Sequence, residues 1–204
     1  LFRSIEKDGG VWFARGGTNA LVSGMVRLFE RLGGTLRLGD PVATIETTGD
    51  HVTGVTTVGG WRSEADMVAC NGDLMHSYRD LLGGHPRGQK VARGLARKRW
   101  SPSLFVVHFG VKGVYPDIAH HSILFGPRYK GLLDDIYGGV VPDDFSLYLH
   151  HPSITDPGMA PPGHSTFYAL APVAHLGKAK ADWDGEFGAR FADAILEEVE
   201  RRVA

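Results

Sequence analysis

Cysteine is almost absent from this chain. Cys70 stands alone among 204 residues, which excludes an internal disulfide and any metal site built from thiolates. A lone, small, weakly polar side chain is expected to be buried. Excess charge of one sign is lacking too. The 22 lysines and arginines face 23 aspartates and glutamates, for a net charge of −1, so no polyanionic partner is advertised and nucleic acid is not expected. No apolar run approaches the roughly 20 residues that a spanning helix needs, and no basic segment followed by an apolar stretch opens the chain. Neither a membrane span nor a signal is expected. G-x-G-x-x-G, G-x-x-x-x-G-K-[ST] and H-E-x-x-H are all missing, which removes three common site types from consideration. Internal repeats and low-complexity tracts are missing as well.

What is present is an ordinary globular composition, 43% hydrophobic and 22% charged, sufficient for one or two domains with a sizeable core. The stretch "RGGTNALVSGMVRLFERLGG" reads as a helix. Thr18 can cap it, Leu21, Val22, Met25, Leu28, Phe29 and Leu32 recur at helical spacing, and Gly33-Gly34 stops it. One apolar face is expected to be buried. Strand-like runs follow at "TLRL", "PVATIETT", "HVTGVTT" and "DMVACN", with turns at Gly49-Asp50 and Gly59-Gly60. "LMHSYRDLL" reads as a short helix capped by Asp73, and "GGHPRGQK" breaks the pattern. The second part carries the strands "SPSLFVVHFGV", "HSILF", "DFSLYLHH" and "STFYALAPV", with a helix at "RYKGLLDDIY" and another from about Trp183. In that last helix Phe187, Phe191, Ile195 and Val199 form one stripe. The fold class is therefore α/β (α+β), with a division near residue 82. The first residue is Leu, and the final helix stops while its periodicity is running, so the chain reads as a piece of a longer protein.

The chemical candidates are few. Arg15, Gly16 and Gly17 precede a helix whose first amides are free, an arrangement equally suited to an anion or to a plain tight turn. The pairs His120-His121 and His150-His151 suggest metal, but neighbours in a strand point to opposite faces, so structural roles are favoured and no metal is expected. Asp134-Asp135 and Asp143-Asp144 read as helix-end or turn residues. The aromatic strands suit either a core or an elongated apolar pocket.

"GGVWFARGGTNALVSGMVRLFERLGG", "VATIETTGDHVTGVTT", "ADMVACNGDLMHSYRDLL", "AHHSILFGPRYKGLLDDIY" and "DDFSLYLHHPSITDPGMAPPGHSTFYALAPVAHLG" together resemble, in this order, the bacterial-type phytoene desaturases. The resemblance implies the central part of an amine-oxidase-like FAD-dependent oxidoreductase. A partial, discontinuous flavin domain would occupy residues 1–82, and an incomplete mixed-sheet substrate domain residues 83–204. It implies FAD as cofactor, with the backbone of Val42 beside its adenine end and the Arg15-Gly16-Gly17 turn close to the flavin. The family's phosphate-binding fingerprint and glycine-rich C-terminal FAD segment have no counterpart here. The implied reaction is dehydrogenation of phytoene and partly desaturated carotenoids toward neurosporene or lycopene. Phe105, Val107, Phe109, Phe167 and Leu170 would line the path of a long hydrophobe. The implied setting is peripheral, at the cytoplasmic face of the inner membrane. No catalytic residue is implied within this stretch, and the piece alone is expected to be inactive. Two rivals are a non-catalytic module for apolar ligands or membranes, and a related ketolase, diapophytoene desaturase or retinol saturase.

Overall fold

The computed structural model describes residues 9–10 and 12–203. The chain forms two compact units, one of Leu28–Arg99 and one of Leu1–Arg27 with Trp100–Ala204. Helix α1, Gly17–Arg31, contains the first boundary. It starts at Gly17, so Thr18 lies in its first turn rather than capping it. Its apolar stripe is exposed instead of buried: Leu21, Val22, Met25, Leu28, Phe29 and Leu32 all face outward. Amphipathicity gives a helix a face to bury, but a covering element must come from elsewhere, and none of the described residues supplies one.

In the unit Leu28–Arg99, β1 (Val42–Thr48), β2 (His51–Thr57) and β3 (Arg62–Glu64) form an antiparallel sheet in that order. Thr48 pairs with His51 across the two-residue turn Gly49-Asp50, as the turn residues required. Gly54 is needed because a Cβ there would lie 2.4 Å from the Ser63 carbonyl oxygen of β3. Asp40 fastens the second turn, accepting from Thr57 Oγ1 at 2.8 Å and Gly59 N at 2.9 Å. Those hydrogen bonds, Thr57 first, hold its carboxyl below the usual range. Glu46 on β1 receives the Arg62 guanidinium from β3. The runs "TLRL" and "DMVACN" are not strands. Apolar β-branched composition suits a strand, yet a strand also needs a hydrogen-bonding neighbour, and these runs pair with none of the described residues. Cys70, expected to be buried, is exposed, its Sγ 3.1 Å from Ser77 Oγ.

Asp73 caps α2 (Leu74–His76) by accepting from His76 N at 2.8 Å, and the chain continues as a π-helical turn, Ser77–Leu81. Helix α3 then runs from Pro86 to Leu95, with Pro at its first position and the His85 ring accepting from Arg87 N. Residues 83–99 therefore stay with the hairpin unit, and the division falls at Arg99/Trp100 instead of near residue 82. A proline after glycines starts this helix where the sequence suggested a break.

The other unit is built on β4 (Ser103–Lys112), β5 (His121–Leu124), β6 (Leu147–His150) and β7 (His164–Val173), in spatial order β4-β7-β6-β5. The α/β content is as expected, while every pairing in this sheet is antiparallel rather than mixed. Helix α4 (Tyr129–Gly138) connects β5 to β6, and α5 (Glu186–Val203) follows β7. Leu147, Leu149, Phe167, Ala169, Ala171 and Val173 form a core with Phe191, Ile195 and Val199 of α5. Period 2 in the strands and period 3.6 in the helix thus meet on one face of the sheet.

Candidate functional site

The same alternation that buries one face of the four-stranded sheet sets a second row of side chains on the other. Cross-strand register aligns His108 of β4 with Tyr168 of β7, Tyr168 with His150 of β6, and His150 with His121 of β5. Beside this row runs a more apolar one: Val106, Leu170, Tyr148 and Ile123, paired in the same strand order. The rings of His108 and Tyr168 are 5.3 Å apart, those of Tyr168 and His150 4.6 Å, and those of His150 and His121 5.4 Å. Van der Waals contact thus links an imidazole and phenol ladder across all four strands.

His120 joins the end of the ladder. It sits in the bend just before β5 rather than within the strand, so the alternation that would separate it from His121 does not apply. Its Nε2 lies 2.9 Å from His150 Nε2, and its Nδ1 lies 2.5 Å from Thr155 Oγ1. His121 Nδ1 is 2.5 Å from the Tyr148 hydroxyl. His151 behaves as strand alternation predicts for the other pair. It points into the core, donates from Nδ1 to the Ile118 carbonyl at 3.0 Å, and stacks on Phe167 at 4.2 Å.

Burial dominates the electrostatics of this face. Desolvation, with the neighbouring His120 next, pushes His150 down to about 4, and desolvation likewise lowers His120. Desolvation pushes the Tyr148 phenol up to about 12. All three are therefore neutral at pH 7. The His150 Nδ1 atom is buried with no hydrogen-bond partner.

The glycine pair ahead of α1 is fastened beside this face. Gly16 and Gly17 adopt φ of +80° and +71°, which only glycine takes freely. Gly16 N donates to Asp156 Oδ2 at 2.7 Å and Gly17 N to the Ala14 carbonyl at 2.8 Å. A Cβ on Gly17 would meet Met159 at 3.2 Å, and Phe13 sets its ring edge on His120 at 4.7 Å. The turn therefore holds a carboxylate of the chain itself and offers neither amide as a phosphate cradle; Arg15 is exposed. Asp156 and the neighbouring Thr155 link that turn to the histidines. Val42 opens β1, an edge strand of the other unit, and is partly exposed.

The apolar residues expected along a substrate path divide between the two faces. Leu170 lies in the row beside Tyr148. Phe105, Val107, Phe109 and Phe167 point to the side covered by α5. There Phe109 and Phe167 line a cavity of about 430 Å³ with Val111, Tyr115, Leu149 and Leu196, within the size range of small-molecule sites. Of the acidic pairs, Asp135 in the last turn of α4 and Asp144 in the bend before β6 share the Arg128 guanidinium at 3.2 and 2.6 Å. The histidine cluster escaped sequence reasoning because it joins residues 30 positions apart. The one available signal was that both histidine pairs sit at strand ends, where alternation lapses.

The model of the flavin containing amine oxidoreductase family matches residues 1–201. The chain belongs to that family. It is 59% identical over 204 residues to a lycopene-forming phytoene desaturase of Paracoccus sp., covering all of this chain and 40% of that protein. A second lycopene-forming phytoene desaturase, from Pseudescherichia vulneris, is 48% identical over 99% of the chain and 41% of its own length. A neurosporene-forming one from Cereibacter sphaeroides is 41% identical over 98% of the chain and 40% of its own length. The chain thus spans about two fifths of the length of these relatives. An oxidoreductase structure from Methanosarcina mazei shares the fold, with a TM-score of 0.57 at 15% identity over 89% of this chain and 39% of that one. A Pyrococcus furiosus protein does so with a TM-score of 0.59 at 15% identity over 92% and 40%. Within a flavin-containing family, the amide geometry at Gly16 and Gly17 suits close backbone packing rather than phosphate binding.

Proposed function

We propose that this chain is the central part of an FAD-dependent desaturase that dehydrogenates phytoene and partly desaturated carotenoids toward neurosporene or lycopene. The observation that carries this reading is the likeness to phytoene desaturases along the whole chain. FAD, when bound, accepts a hydride equivalent from a C–H bond of the substrate while a proton leaves the neighbouring carbon. Val42 would hold the adenine end through its backbone, and Gly16 and Gly17 would let the main chain pass close to the flavin.

The outward face of the four-stranded sheet supplies what a hydrocarbon substrate requires. Val106, Leu170 and Ile123 offer apolar contact to a molecule without polar handles. Shape and exclusion of water then decide specificity. A C40 hydrocarbon is insoluble, so the whole protein works at the membrane surface, on the cytoplasmic side, and takes its substrate from the bilayer.

The test uses the gene's longer product in phytoene-containing liposomes. With FAD it forms coloured polyenes absorbing in the visible, and Leu170→Asp lowers turnover more than about tenfold while flavin absorbance is retained. A flavin-loaded protein that leaves phytoene unchanged overturns the reading. The 204-residue chain alone retains no stoichiometric flavin; yellow, one-to-one flavin in the purified chain contradicts the requirement for further segments.

A further inference from the structure

We propose that His120, His121 and His150 form a binding site for a divalent late transition metal at the β5–β6 end of the sheet, with Ni²⁺ and Cu²⁺ held more tightly than Zn²⁺. One ring nitrogen from each histidine lies within 4.8 Å of the other two. Imidazole nitrogen is a donor of intermediate softness that suits these ions, and three such donors leave further positions for water. The preference follows the general order of divalent ions at nitrogen donors. His120 Nε2 and His150 Nε2 lie 2.9 Å apart in a hydrogen bond, so an ion here takes the place of the proton they share.

The surroundings orient the rings as ligating histidines require. Thr155 Oγ1 engages His120 Nδ1, and the Tyr148 hydroxyl engages His121 Nδ1. The ring of Phe13 closes on His120 at 4.7 Å. Two of the three rings are thus fixed before an ion arrives, so little side-chain freedom is lost on binding. An ion here would tie the bend before β5 to the end of β6. The site uses neither a flavin nor a polyene and stands or falls apart from the desaturase reading.

Isothermal titration of the 204-residue chain with Ni²⁺ is expected to show one saturable equivalent, weakened more than about tenfold by His121→Gln or His120→Gln and about tenfold by Thr155→Val, which keeps every ligand. The control His51→Ala binds as the parent does. Far-UV circular dichroism identifies variants that fold, and electron paramagnetic resonance of the unsubstituted chain with one equivalent of Cu²⁺ shows superhyperfine splitting from two or more nitrogens. Ni²⁺ affinity unchanged in folded His120→Gln and His121→Gln, or a Cu²⁺ spectrum without nitrogen coupling, overturns the site. Zn²⁺ binding tighter than Ni²⁺ overturns the stated order of ions.

Discussion

The two faces of the four-stranded sheet are made from the same strands and differ in almost every physical respect. Under α5, Leu147, Leu149, Ala169 and Ala171 are within 1% of complete burial, and apolar contact is nearly all they supply. On the opposite face, residues one position away along each strand carry imidazoles, phenols and half-exposed aliphatics. One face contributes the stability that keeps the other in register. A ladder of partly buried polar rings is costly to hold in place, and here the helix-backed core supports it.

Substitutions on the two faces should therefore separate. The largest effect is expected from Leu149→Ala, which opens a cavity in the closed face and lowers unfolding free energy by about 2–5 kcal/mol, measured by urea denaturation. On the open face, acid is the next most effective perturbation. Burial holds His150 at about 4, below its ordinary 6.5, so the unfolded chain takes up a proton that the folded chain refuses. Stability is then undiminished above about pH 6.5 and declines as pH falls toward 4. The urea midpoint of His150→Gln should fall less over that window; equal slopes for both proteins would contradict the shift. Asp156→Ala removes the acceptor for the Gly16 amide and should lower stability by about 1 kcal/mol, with faster amide exchange at Gly16 as the local readout. The smallest effect is expected at Ile123, 62% exposed. Ile123→Ala should change stability by no more than about 0.5 kcal/mol, and a larger loss would mean that this face is covered in solution.

Periodicity made much of this fold legible. The repeats in "SLFVVHFGV" and "STFYALAPV" mark strands, and Phe187, Phe191, Ile195 and Val199 mark the stripe of α5, because spacing alone sets which side chains share a face. The hairpin at Gly49-Asp50 and the cap at Asp73 were equally readable, since both rest on contacts within a few residues. "TLRL" and "DMVACN" misled for a matching reason: their composition suits strands, but their partners are not local. The helix at Pro86 was hidden by the glycines before it, which read as a break although proline suits a first helical turn.

The candidate site was less legible. The Gly16-Gly17 turn could be recognised, but the anion it holds, Asp156, lies 140 residues away, and no local pattern announces it. Adjacent histidines argued against a shared site under strict alternation. His120 escapes that rule by one residue, in a bend that only the fold reveals.

The sequence by itself determined most of the elements, the two-sided character of β4 and β7 and the likeness to desaturases, because these depend on the order and spacing of residues along the chain. Only the tertiary structure decided which histidines meet, that Cys70 and the stripe of α1 are exposed, and that Leu170 parts company with Phe105, Val107, Phe109 and Phe167. Those outcomes depend on strand order and on which element covers which face, and distances through space are not written in distances along the chain.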